Sequence, residues 1–208
     1  MTASAPGLPP AGEDRRPSRP GAGAPARDTR AAIIDAAVTL IANRGFSATS
    51  VDEIAAEARV AKGSVFYNFG SKAALFEAVI VEGVQRLTVA LRTAREGREG
   101  REAMSALVSE LLVQIQAHPD FAKVIVAEVF RTGRDWQEPI RQVRNESFTV
   151  LAEVVAASWP GRDPSLTAAT VFGGTLVAGL EWLAFQPHRT ADDVREAVLS
   201  TFLDGLPA

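Results

Sequence analysis

A chain of 208 residues with 47% hydrophobic and 23% charged side chains fits one or two globular domains and can bury a core without staples. It holds no cysteine and only two histidines, His118 and His188. That excludes disulfides, thiol catalysis and cysteine-ligated zinc and leaves little for a histidine metal site, so no cofactor is expected. The net charge of −3 is unevenly spread: residues 1–26 and 27–75 each carry +1 and residues 76–208 carry −5, which leaves room for a positive surface in the first third.

Residues 1–26 contain six of the twelve prolines, four glycines and, after Met1, one large aliphatic residue, Leu8. Such a stretch cannot offset its ordering entropy by burial, so a disordered tail is expected. Arg15, Arg16 and Arg19 either reach DNA as a basic arm or stay solvated. There is no apolar signal core here and no unbroken run of 18 apolar residues anywhere. The expected location is therefore the cytoplasm, with no membrane partner.

From Arg27 onward the pattern is helical. Ile33, Ile34, Ala37, Val38 and Ile41 define one apolar face, opened by Asp28 or Thr29 and closed by Gly45. Ser50-Val51-Asp52-Glu53 is a capping box, after which Val51, Ile54, Ala55 and Ala58 face inward. A break at Arg59-Val60 leads to a short helix over about 61–67, ended by Asn68-Phe69-Gly70. Ser71 then caps a long helix with Leu75, Val79 and Val84 inside. Further helices are expected over about 102–117, 119–132, 136–158, 165–186 and 191–204, separated by breaks that each contain Gly or Pro. No period-two strand pattern persists. The expected fold is all-α with about nine helices.

Two short helices joined by a tight turn, after a third, form a helix-turn-helix pattern whose second helix is sized for the major groove. The run from Gly45 to Ala55, then Val60-Ala61-Lys62-Gly63-Ser64-Val65-Phe66-Tyr67-Asn68-Phe69-Gly70-Ser71-Lys72 with Leu75-Phe76, resembles the DNA-binding domain of TetR-family transcriptional regulators over about residues 29–80. The resemblance implies a homodimeric, mostly repressing regulator. It implies a helix-turn-helix domain over 27–75 and a larger helical domain over 76–208 that dimerises and binds a small-molecule effector.

Lys62, Ser64, Tyr67 and Asn68 supply donors and acceptors on or beside the recognition helix, and Gly63 lets it approach DNA closely. Lys72, in the first turn of the next helix, suits a phosphate, and Thr49 and Ser50 are placed to do likewise. Ser50 is first a cap. Phe66 and Phe69 are expected in the core, and Val65 either packs there or touches a thymine methyl. Arg44 is expected to favour its own helix C-terminus. Three residues depart from the family pattern. Phe66 replaces the usual tyrosine, Arg59 the usual turn glycine and Ala61 the usual capping serine. If the turn needs a positive φ, Arg59 is strained by roughly 1 kcal/mol, and the absent cap costs about as much.

In the C-terminal region, residues 168–185 are broadly apolar and rich in small residues, and the last helix adds a second apolar face. The two are expected to pair with their copies through Phe172, Leu176, Leu180, Val194, Val198 and Phe202, or else to form an intrachain core. An effector pocket is expected among Phe121, Phe130, Trp136, Phe148 and Trp182, with Gln114, Gln137 and Glu181 orienting the ligand; ordinary core packing is the alternative for each aromatic and a place at the solvent edge for Glu181.

A DNA-binding regulator released from a palindromic operator by an effector is the leading function. A helical interaction protein that has lost operator binding is the alternative. The chain carries no phosphate-binding loop, nucleophile elbow, dinucleotide fingerprint or metal spacing, so no enzyme activity is expected. Nineteen arginines against three lysines point to a GC-rich, bacterial coding sequence.

Overall fold

The computed structural model describes residues 1, 26–128 and 137–204, with no side-chain detail for 26–28, 128, 137–144 and 204. The tail expected over 1–26 lies almost wholly outside the described residues, as do Phe130 and Trp136. The described residues form nine α-helices and no strand: α1 Ala26–Arg44, α2 Val51–Glu57, α3 Lys62–Phe69, α4 Lys72–Arg95, α5 Gly100–Ala117, α6 Pro119–Glu128, α7 Gln137–Ser158, α8 Pro164–Phe185 and α9 Ala191–Leu199. A π-helical turn, Ser200–Asp204, continues α9.

Local chemistry sets most of these ends. Gly45 adopts φ 79°, where a β-carbon would clash with the backbone, and so closes α1. Ser50 and Glu53 make the expected capping box at α2, and Ser71 and Asp163 accept amide protons at the starts of α4 and α8. A second box, Thr190 with Asp193, opens α9. The recognition helix runs past its expected end at Tyr67. Asn68 and Phe69 remain helical because Gly70, at φ 74°, can supply the left-handed stop.

Two apolar cores result. The first gathers Ile33, Ala37 and Ile41 of α1, Ile54 of α2 and Val65 of α3 around Phe76 and Ile80 of α4. Val124 of α6 joins it. The second packs Leu91 of α4 with Leu107 and Leu111 of α5, Leu151 of α7, Val171 of α8 and Val198 of α9. Helix α4 therefore belongs to both cores and ties them mechanically. Between α4 and α7 the buried hydroxyls of Thr88 and Ser147 share a hydrogen bond, which satisfies both polar groups inside an apolar contact.

Helix α8 is the most apolar of the described helices. It is long and apolar enough to cross a bilayer by length and composition, although no unbroken apolar run announces it, because Thr, Gly and Glu interrupt the sequence. It packs against α5, α7 and α9. Leu166, Val177 and Phe185 nevertheless stay largely exposed.

Candidate nucleic-acid interface and effector cavity

Helices α1 to α3 set α3 at the surface. Val65, 1% exposed, anchors its inner side, while Lys62, Gly63, Phe66 and Tyr67 face outward. The Arg30 guanidinium stacks 4.8 Å over the Phe69 ring and pairs with Glu82, which ties α1 to the end of α3 and to α4. Arg59 holds the turn at φ 56°, the left-handed region that favours glycine. Ala61 caps α3 with no side-chain hydrogen bond. Both costs anticipated from the sequence are thus present.

The candidate DNA-contacting residues fall into three groups. Lys62 is exposed and pairs with Asp52 at 2.9 Å, and Tyr67 projects into solvent with 90% of its surface free. At Gly63 an added β-carbon would meet nothing within 4 Å, so no contact inside the chain demands glycine there. Ser64 and Asn68 are half-buried on the flank, and the Asn68 amide donates to the Ser64 carbonyl at 2.7 Å.

Ser50, Lys72 and Thr49 lie at helix starts. The Ser50 hydroxyl is engaged with the Glu53 carboxylate at 2.8 Å and accepts from the Glu53 amide. Hydrogen bonds from the Ser50 backbone and side chain, with the nearby Arg44 charge, hold the Glu53 carboxyl below its ordinary pKa. Lys72 lies 4.2 Å over the Phe46 ring at the start of α4. Thr49 departs from the expected phosphate contact: it is 2% exposed and its hydroxyl donates to the Gly45 carbonyl at 3.0 Å. A hydroxyl so enclosed secures the α1–α2 turn.

The structure decides three further positions. Phe66 is 43% exposed and not in the core, because it is turned about 100° round α3 from the enclosed Val65. Val65 is enclosed and cannot touch a thymine methyl. Arg44 reaches past its own helix end to Glu53 at 2.6 Å, since the turn after Gly45 brings α2 beside it.

A cavity of about 250 Å³ lies where α1, α4, α5, α6 and α8 meet. Phe121 lines it and rests on Gly83 of α4, where an added β-carbon would fall 2.2 Å from the ring. Glycine at 83 is what lets α6 approach α4. Gln114 also lines the cavity, its amide nitrogen donating to Glu110 at 2.8 Å. Phe148 stands behind the wall and packs on Phe172, with ring centres 4.7 Å apart. The sequence missed the α1 contribution, Asp35, Val38 and Thr39. Val38 reads as ordinary core on the apolar face, and Asp35 and Thr39 beside it read as ordinary surface. Arg86, exposed at the cavity, has no ion pair among the described residues.

The remaining candidates lie elsewhere. Trp182 is buried and its indole donates to the Arg189 carbonyl at 2.9 Å, closing the α8–α9 loop. Glu181 is exposed on the outer side of α8. Phe172 and Leu176, expected at a dimer interface, turn toward the cavity. Val194 and Val198 belong to the intrachain core, because α9 directs its apolar face at α5. Phe202 packs over Gly174, and Leu180 is half-buried.

A three-helix unit presenting an exposed helix, joined by a shared α4 to a helical body with a cavity, is the architecture of a helix-turn-helix DNA-binding protein. Residues 33–79 match the family model of bacterial regulatory proteins, tetR family. The HTH-type transcriptional repressor Rv3405c of Mycobacterium tuberculosis is 30% identical over 170 residues, which cover 81% of this chain and 80% of that protein. The chain belongs to the TetR family of bacterial transcriptional regulators. In fold it is similar to FadR from Bacillus subtilis in complex with stearoyl-CoA (TM-score 0.75, 20% identity, 85% of this chain and 99% of that one). It is also similar to AibR in complex with isovaleryl coenzyme A and operator DNA (TM-score 0.72, 19% identity, 84% and 97%).

Proposed function

We propose that the protein is a repressor that binds a two-fold symmetric operator as a homodimer and leaves it when a small effector enters the α1–α4–α5–α6–α8 cavity. One observation carries this reading: the cavity wall includes α1 of the DNA-binding unit, so an occupant touches both halves of the molecule. The DNA-binding unit is assigned to 27–75 and the sensing and dimerising unit to 76–208, with α4 continuous across the boundary.

The proposed DNA contacts are Lys62, Gly63, Ser64, Tyr67 and Asn68 on α3, with Ser50 and Lys72 at helix starts. Arg44 and Lys62 are held by surface carboxylates in pairs worth about 0–1 kcal/mol, so phosphate can displace those partners at little cost. Gln114 and Phe121 are the proposed effector contacts, backed by Phe148. The role is non-catalytic.

The apolar lining suits an effector with an apolar body. A cavity of roughly 150 Å³ holds benzene, so about 250 Å³ accommodates a short acyl chain or single ring system. FadR and AibR are described with acyl-CoA thioesters, which makes that class the first to test here, with Arg86 placed to meet an anionic group. An effector shifts the equilibrium only by its differential affinity for the two states.

The test is selection of genomic fragments by the purified protein at one fixed salt concentration, because phosphate contacts make affinity salt-dependent. Enrichment of a symmetric site, lost on adding one acyl-CoA of a chain-length series, is the expected result. A folded dimer that enriches no sequence in the presence or absence of the series would refute the regulator reading.

A further inference from the structure

The outward stripe of α3 contains one residue that hydrogen-bonding recognition does not explain. Lys62, Gly63, Phe66 and Tyr67 follow the spacing i, i+1, i+4, i+5 and share one side of the helix. Lys62 and Tyr67 carry polar groups for phosphate or base edges. Phe66 carries none, yet 43% of its surface is free and it has no aromatic partner among the described residues. Gly63, on the preceding turn of the same side, has open space around it, so DNA can come close to the ring.

A phenyl ring can neither accept from nor donate to a base edge. In the major groove the apolar feature that distinguishes one base from the others is the C5-methyl of thymine. Val65, the other apolar candidate on α3, is enclosed. We propose that Phe66 packs on a thymine methyl in each operator half-site and thereby sets an A·T requirement at that position. This inference rests on the regulator reading above and specifies how its interface reads sequence.

The experiment uses the full-length dimer and the operator fragment recovered by selection. Each thymine of the half-site is replaced in turn by deoxyuridine, symmetrically in both halves, which removes the methyl and keeps every hydrogen-bonding group. Affinities are measured at one salt concentration for the wild type, for F66A and for F66V. F66V keeps an apolar stub for packing, so a folding defect in F66A does not decide the result. At one thymine position, deoxyuridine is expected to weaken the wild type about fourfold for each methyl lost, the cost of exposing one buried carbon group. Both variants are expected to bind more weakly overall and to lose most of that sensitivity.

Tolerance of deoxyuridine at every position by the wild type, or an equal loss in wild type and variants, would overturn the assignment while leaving operator binding intact. Absence of any selective DNA binding would overturn the regulator reading first, and the assignment with it.

Discussion

Arg59 shows how one residue sets the geometry of the interface. The turn between α2 and α3 requires φ 56° there, and the chain places a β-carbon in a region where L residues lose roughly 1–2 kcal/mol. Replacing it with glycine removes that strain but restores freedom to the unfolded chain, at a cost of about 0.5–1 kcal/mol. R59G is therefore expected to stabilise the protein by about 0.5–1 kcal/mol, a rise in Tm of about 1–4 °C for a chain of this size, read by calorimetry. A fall in Tm would show that the arginine side chain contributes a contact worth more than the strain. The neighbouring cap follows the same logic in reverse. Ala61 offers no side-chain acceptor: its carbonyl takes the Ser64 amide at 2.8 Å, and the Lys62 and Gly63 amides are left to solvent or to a phosphate.

At the scale of elements, we propose that α6, which packs on α1 and rests the Phe121 ring on α4, is the joint through which the cavity reaches the DNA-binding unit. Phe121 sits on Gly83, and α6 carries Val124 into the first core. A methyl at position 83 occupies the space of the ring, so G83A must push Phe121 off α4. Overpacking of this kind costs about 1–3 kcal/mol. The expected result is a folded protein of lower Tm whose stabilisation by a binding acyl-CoA is reduced. Saturating ligand at about one hundred times its Kd adds about 2.7 kcal/mol to a receptive wild type, so the loss is measurable by thermal shift. A G83A protein that keeps the full ligand-induced shift would remove this joint from the mechanism.

Across the whole molecule, α8 carries large apolar side chains on its outer side that the other described residues do not cover. Leu166, Val177 and Phe185 recur along its outer side at 70%, 60% and 74% exposure, with Gly173 open between them. Glu181 and Ala184 lie exposed near the same line. Large exposed apolar side chains on one helix side suggest an interaction site, and we propose a two-fold copy of the same helix as the self-complementary partner. The homodimer proposal is therefore carried by these residues together with α9, while Val194 and Val198 support it from behind as core. V177E is expected to yield a folded monomer in sedimentation equilibrium and to lose most operator affinity, since two half-sites need two recognition helices held at one spacing. A V177E dimer with unchanged affinity would place the interface elsewhere.

Sequence alone determined the all-α class, about nine helices and most of the ends seen among the described residues, because caps, glycine stops and periodicity act over one or two turns. The capping box at Ser50 and the stop at Gly45 could be read there, while the strain at Arg59 was conditional on a positive φ that the structure supplied. Only the tertiary structure decided which side of each helix faces inward. It turned Phe66 outward and Thr49 inward, moved Phe172 and Leu176 to the cavity, and put Glu181 on the surface. It also drew Asp35, Val38 and Thr39 of α1 into the cavity wall. The physical reason is the same in each case. An apolar helix such as α8 carries burial-competent residues all round, so its orientation depends on the volumes of α5, α7 and α9 packed against it and not on its own pattern.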